Sequence, residues 1–184
     1  DNDVYCMASL FKTQAREKFI VFSDEFATLG LSPAIAIRKD LIKKLKLDSS
    51  QPISLNELII THKLTLGITL NRAYGSDVDA VISTLPKHQV SVRAGRDTLE
   101  SLTYMLMKGR LDIILGYPSE HHYLKSQMDK NDQLTQLYIK EANTVVKGYV
   151  GCSNNEQGKQ VISQINNALA KTNKSKEFNA IMLR

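Results

Sequence analysis

Lys12-Thr13-Gln14-Ala15-Arg16-Glu17-Lys18-Phe19-Ile20-Val21-Phe22-Ser23 is the stretch around which the chain is read. An apolar run at residues 4–10 leads into it and reads as a strand. Thr13 carries a hydroxyl suited to capping a short helical turn, and Arg16 rides on that turn. Phe19, Ile20, Val21 and Phe22 then return to the core. A buried strand thus delivers one guanidinium to its end, beside a helix N-terminus. That place suits a carboxylate, because arginine offers a planar fork of donors and a helix end offers free N–H groups.

At 184 residues the chain is long enough to bury a real core, as one domain or two small ones. Its hydrophobic share of 42% and charged share of 23% are those of a globular protein. The net charge of +5 comes from scattered lysines and one cluster at residues 38–46. That cluster alternates lysine pairs with Leu and Ile and has no aromatics, so it reads as a solvated helix face and not as a nucleic-acid surface. No run is long enough for a membrane-spanning helix, and no leader peptide is visible. The chain starts at Asp1, almost directly in a strand, which suggests a processed or trimmed product. Cys6 and Cys152 each sit in a strand-like run. They are either two buried thiols behaving as small hydrophobes or one disulfide tying the ends of the chain together.

Beyond Ser23 the pattern alternates. Residues 31–38 read as a strand entered through Pro33, and the lysine-rich helix follows. Ser54 and Glu57 make a capping box that opens a helix, and residues 64–70 read as a strand. Asn71-Arg72-Ala73-Tyr74-Gly75-Ser76 is a turn opening a further helix, with Ser76 as cap and Val78, Val81, Ile82 and Leu85 on one face. A strand at residues 90–92 leads to a helix capped by Asp97 and Glu100, with Leu99, Leu102, Met105 and Leu106 inward. Gly109 suits the C-cap, and residues 111–115 form an apolar strand of the kind covered on both faces. This alternation argues a βαβα unit with largely parallel strands. A helix-prone stretch, strands at residues 134–139 and 145–152, a helix after Ser153 and Glu156, and a terminal helix at residues 176–183 complete the chain.

In open α/β sheets ligands bind beyond the carboxyl ends of strands. Two turns meet that description, at residues 13–16 and 72–76, and each pairs an arginine with a hydroxyl and backbone donors. Together they describe an anion site better than a catalytic centre. Tyr74 either stacks on a ligand or packs. His62, His88, His121 and His122 form no His-x-x-x-His pair. There is no nucleophile elbow, phosphate loop or dinucleotide fingerprint, so nothing calls for an enzyme, a metal or a cofactor.

Ser9, Thr13 and Arg16, running on to Phe22 and Ser23, resemble the Ser-x-x-x-Thr-x-x-Arg…Phe-Ser segment of bacterial extracellular solute-binding proteins of the polar-amino-acid class. Gly109-Arg110-Leu111-Asp112 is similar to the Gly-x-x-Asp after their second-lobe helix. The resemblance implies a type II periplasmic-binding-protein fold, an α/β architecture of two lobes, each a sheet flanked by helices. Residues 1–38 and 147–184 are then an incomplete lobe 1, lacking the opening strand–helix–strand, and 39–146 lobe 2. Hinge segments fall at residues 34–39 and 140–147.

The resemblance further implies a periplasmic, monomeric receptor that captures a small polar or anionic solute between its lobes for a membrane transporter or sensor, without a cofactor and without nucleic acid. Ser9, Thr13 and Arg16 on one lobe, and Arg72, Tyr74, Gly75, Ser76 and Tyr117 on the other, are its expected ligand contacts. Tyr117 stands where amino-acid binders of this family carry an acidic residue, with Glu120 nearby but shifted. The same fold also serves as the effector domain of LysR-type regulators and as a scaffold for enzymes, and these are the alternatives. A Cys6–Cys152 disulfide counts against the cytoplasmic regulator.

Overall fold

A computed structural model describes residues 3–142 and 145–172. The expected terminal helix at residues 176–183 and part of the second expected hinge lie outside them. The chain divides into two compact units, one of Asp1–Gly30 with Val145–Arg184 and one of Leu31–Thr144.

The second unit is built on a five-stranded sheet. Its strands are β4 (Ala34–Arg38), β5 (Leu66–Thr69), β6 (Val90–Arg93), β7 (Ile113–Gly116) and β8 (Leu134–Tyr138), in the order β6-β5-β7-β4-β8. β5 pairs in parallel with β6 and β7, while β4 runs antiparallel to both β7 and β8. Residues 34–38, read from sequence as a crossing segment, are thus an interior strand of this sheet. The strands alternate faces as the pleat requires. Ile35, Ile37, Ile113, Leu115 and Leu137 enter one buried cluster with Tyr74 and Val78, and Ala36, Ile114 and Leu134 enter another with Leu102 and Leu106.

Helices cover both faces of that sheet. α3 (Leu55–His62) and α4 (Ser76–Thr84) lie on the first cluster, and α5 (Thr98–Met107) on the second. Gly67 leaves room for α5, since a Cβ there would stand 2.7 Å from Leu111 Cδ1 and 2.9 Å from Leu102 Cδ2. Several helix ends depart from the sequence reading. Ser54 accepts from Glu57 N, but the reciprocal partner is Glu141, which takes Ser54 Oγ at 2.8 Å and Leu55 N at 2.9 Å. Arg38 belongs to no solvated face: its Nη1 donates to Leu106 O in the last turn of α5 and to Leu111 O just before β7. The rest of the lysine cluster forms α2 (Lys39–Leu45), with only Leu41 buried.

The first unit is thinner. β9 (Val145–Ser153) is its spine, with β1 (Cys6–Leu10) antiparallel on one side and β2 (Ile20–Phe22) antiparallel on the other; β3 (Thr28–Leu31) also pairs with β9. α1 (Gln14–Glu17) lies between β1 and β2, and α7 (Glu156–Thr172) packs on β9 and β2. α7 starts from Asn155, whose Oδ1 accepts from Gly158 N at 2.8 Å, and not from the Ser153–Glu156 box. Cys6 faces Cys152 across the β1–β9 pair and the two are bonded, which decides between free thiols and a disulfide.

Candidate functional site

In the first unit the Thr13 cap of the Arg16 turn is as read, but β1, expected to be a buried strand, is exposed along most of its length, and Phe19 is exposed as well. Thr13 caps α1, its Oγ1 accepting from Arg16 N at 3.3 Å. The Arg16 guanidinium is half-buried and donates through Nη1 to Phe11 O at 3.0 Å, which draws it back along the turn that carries it. The expected store of helix-end donors is smaller than the sequence reading allowed. α1 is four residues long, and Arg16 N is already shared between the Thr13 hydroxyl and the Thr13 carbonyl. Ser9 sits where the β1–β9 register shifts, with φ of 60°, and its hydroxyl meets Thr28 Oγ1. Phe22 and Ser23 are buried; Ser23 Oγ donates to Glu25 O and accepts from Val150 N.

The second unit holds the more elaborate arrangement. β5 ends at Thr69, and the loop to α4 is pinned at both ends by Tyr74. Its hydroxyl accepts from Thr69 N at 3.1 Å, and its own N–H donates to Asp79 Oδ1 at 3.0 Å. Tyr74 is 1% exposed and sits in the core cluster, so of the two readings of this ring packing is the one observed. Burial raises the phenol above its ordinary value. Gly75, with φ of 109°, is the N-cap of α4 and makes no side-chain cap bond, because it has no side chain to do so. Ser76, expected as the cap, is instead the first helical residue and its hydroxyl turns to Asp77. The strongly positive φ at Gly75 shifts the start of the helix by one position, a conformation glycine adopts at little cost.

This loop carries Arg72 to Glu120. The two make a forked pair, Nη2 donating to Oε1 at 2.7 Å and Oε2 at 2.8 Å. The guanidinium centre also lies 4.8 Å from the Tyr117 ring and 5.8 Å from that of Tyr74. Glu120 is placed by its own helix. Tyr117 is the N-cap of α6 (Pro118–Met128), Pro118 occupies the first turn, and Glu120 Oε2 accepts from Tyr117 N at 3.0 Å. The Tyr117 hydroxyl donates to Ala73 O at 3.3 Å, joining the two loops, and burial pushes this phenol up to about 12.

Ser9, Thr13 and Arg16 therefore lie together in one unit, and Arg72, Tyr74, Gly75, Ser76 and Tyr117 together in the other. Glu120 is missing from the sequence-derived set, yet it is the partner of Arg72. The signal for it was a Pro followed two residues on by Glu, the pattern of a helix start.

His121 is buried, with Nε2 at 3.1 Å from Ala34 O, and burial lowers its pKa. It ties α6 to β4. Among the described residues no group of His, Cys, Asp and Glu is arranged to hold a metal ion.

No family model matches the sequence, and no curated protein matches it. Solved structures do. An ancestral arginine-binding protein bound to arginine is 20% identical, covers 92% of this chain and 66% of its own, with a TM-score of 0.61. The substrate-binding protein of an amino acid ABC transporter gives 17%, 94%, 66% and 0.60 in the same order. The periplasmic VFT2 domain of Bordetella pertussis BvgS gives 18%, 95%, 63% and 0.56.

The chain has the type II periplasmic-binding-protein fold.

It spans just under two thirds of the length of these matched chains. At such identities the likeness concerns the fold alone. Within that fold the Arg72 loop and the start of α6 follow β5 and β7, at the carboxyl ends of the two central parallel strands.

Proposed function

We propose that the chain is the greater part of a solute receptor that binds a small polar or anionic solute and does not transform it. The observation that carries this reading is Arg72: a partly exposed guanidinium, oriented by two tyrosine rings and a carboxylate, just past the carboxyl end of β5, a strand with parallel neighbours on both sides. Arginine in such a setting recognises a carboxylate or a comparable anion through paired donors. Arg16 is its counterpart in the first unit, with Ser9 and Thr13 beside it, and Gly75, Ser76 and Tyr117 complete the second unit's share. The matched structures named above are binding proteins and a periplasmic domain, which supports a receptor over an enzyme. The Cys6–Cys152 disulfide supports an oxidising compartment such as the periplasm and weighs against a cytoplasmic regulator. A monomer delivering its solute to a membrane transporter or sensor is the cellular role we infer.

Thermal unfolding against a panel of amino acids, organic acids, polyamines and small sugars tests the proposal. A solute at about 100 times its Kd adds about 2.7 kcal/mol, several degrees for a protein of this size. One chemical class is expected to shift the transition, and Arg16→Ala and Arg72→Ala are each expected to remove the shift. Turnover of the solute, or a shift untouched by both substitutions, overturns the reading.

A further inference from the structure

Of the 11 residues of α6 only Pro118 and His121 are buried. The helix is otherwise mostly polar, so it has little apolar face with which to hold the sheet. Its first turn nevertheless carries Glu120 and follows Tyr117, the carboxylate and one of the two rings that orient the Arg72 guanidinium. Whatever seats that turn therefore governs the geometry around Arg72. His121 seats it on two strands at once. Ala34 and Gly116 face each other across β4 and β7, and the imidazole bonds to the first and packs on the second. A carbonyl only accepts, so Nε2 carries the proton and donates to Ala34 O at 3.1 Å, while Nδ1 of the neutral ring is unprotonated. Gly116 leaves the space the ring occupies: a Cβ there would stand 2.8 Å from His121 Cε1 and 3.0 Å from Nε2. Gln136 adds one polar tie, its Nε2 donating to Pro118 O at 3.2 Å.

The surroundings oppose a charge on this ring. Burial disfavours the imidazolium, and of the charged groups that act on it Glu120 favours it while Arg72 disfavours it. Those two are already paired with each other. β4 and β7 present the Ala34 carbonyl and the Gly116 backbone, and the Tyr117 phenol titrates only at about 12. α5 brings Leu99 against Gly116, with Glu100 lining a cavity beside Glu120. Lys125, one turn further along α6, is bonded to Asp132 and Leu134 O.

We propose that His121 is a positioning residue: neutral, it seats the first turn of α6 on β4 and β7 and so holds Glu120 and Tyr117 against Arg72; charged, it unseats that turn and frees Arg72. The site is thereby coupled to acidity. The seat is complete above pH 6.5, the ordinary histidine value. Because burial lowers the folded value, the seat is lost as the solution is acidified through that lower pKa. The consequence for a bound solute rests on the receptor reading above, whereas the seat itself is a property of the second unit.

Amide exchange by NMR on the 184-residue chain, with each rate referred to its intrinsic value at the same pH, tests the seat without any solute. The Tyr117 N–H donates to Glu120 Oε2 and the His121 N–H to Tyr117 O, so these two amides report the first turn. Their protection is expected to fall about tenfold between about pH 7.5 and about pH 5, as a buried imidazole is forced to charge. The midpoint is expected to match the titration of the His121 ring signal, and amides of β5 and β7 are expected to stay protected. His121→Gln keeps a donor for Ala34 O but does not titrate, and is expected to give the same protection at both pH values. His122→Gln, which changes the exposed neighbour, is expected to retain the wild-type pH dependence. First-turn protection that ignores pH in the wild-type chain overturns the proposal whether or not the variant folds. So does a pH dependence that survives His121→Gln, or an equal loss in β5 and β7. A chain that passes this test and binds no solute breaks the receptor reading alone. One that binds a solute over a pH-independent first turn breaks this one alone.

Discussion

The two units solve the same problem, holding an α/β sheet together, by different means. In the second unit a five-stranded sheet is covered on both faces, and Ile35, Ile37, Leu55, Ile59, Leu66, Leu102, Ile113 and Leu115 are fully buried. In the first unit Tyr5, Met7 and Phe19 are 72%, 63% and 62% exposed, and the whole of α7 buries only Gly158 and Ile162. A sheet with so little apolar burial has little hydrophobic stabilisation to set against chain entropy. The covalent link stands in this poorer unit, joining β1 to β9 across 146 residues of sequence. The second unit is held by burial and the first by a cross-link.

That contrast breaks first at the disulfide. Replacing Cys6 and Cys152 with Ser is expected to destabilise the first unit by about 4 kcal/mol, the value for a long closed loop. Amide exchange is expected to accelerate along β1 and β9 and to stay slow in β4, β5 and β7. Equal acceleration in both sheets would erase the distinction drawn here.

Next comes the buried core. Leu102 is inaccessible and packs in the second cluster of the second unit. Leu102→Ala is expected to cost about 3 kcal/mol, as truncations in well-packed cores do. Denaturant unfolding followed by a probe in the second unit measures it, and a loss below about 1 kcal/mol would mean that this cluster relaxes instead of leaving a cavity.

A helix cap sharpens the comparison further. Burial pushes the Glu141 carboxyl up, but hydrogen bonds from Leu55 N, Ser54 Oγ and Asn56 N outweigh it, and the net shift is downward. Glu141→Gln keeps the shape and weakens those acceptors, so a loss of about 1 kcal/mol is expected at neutral pH. A lowered carboxyl stabilises above its ordinary pKa and ceases to do so as pH falls through its folded value. The wild-type protein and the variant are therefore expected to converge in urea titrations as the solution is acidified.

The smallest effect is at Asp132, where hydrogen bonds from Lys125 and Lys39 hold the carboxyl down at about 2, against an ordinary 3.8. Its contribution is present above pH 3.8 and disappears toward pH 2. The group is fully exposed, so the difference between wild type and Asp132→Asn is expected to be small and to vanish in high salt. A salt-independent difference would point to a buried role for this turn.

Much of the fold was legible because its signals are local or periodic. The alternation from Leu64 to Leu115 named the strands and helices of the second unit, and the apolar run at residues 111–115 announced a strand buried on both faces. Thr13 capping the Arg16 turn was readable for the same reason, since donor and acceptor lie within one turn of chain. The signals that misled were also local. The box at Ser153 and the cap at Ser76 follow sequence spacing, yet Asn155 and Gly75 occupy those roles, and at Ser54, which does cap its helix, Glu141 takes the reciprocal place expected of Glu57. A capping pattern states which residues are able to bond; a competitor brought in from elsewhere, or a backbone that starts the helix one residue early, decides which of them do.

What the sequence determined by itself is the set of elements and the placing of two arginines after strands, because hydrophobic periodicity and turn chemistry depend on near neighbours. The tertiary structure decided what those arginines touch. Arg38 reaches the end of α5, Tyr74 turns into the core, Cys6 finds Cys152, and Arg72 closes on Glu120. Each of these pairings joins residues set by strand order and register, or by which face of an element is covered. Those depend on the global packing of the sheets, which no short window of sequence contains.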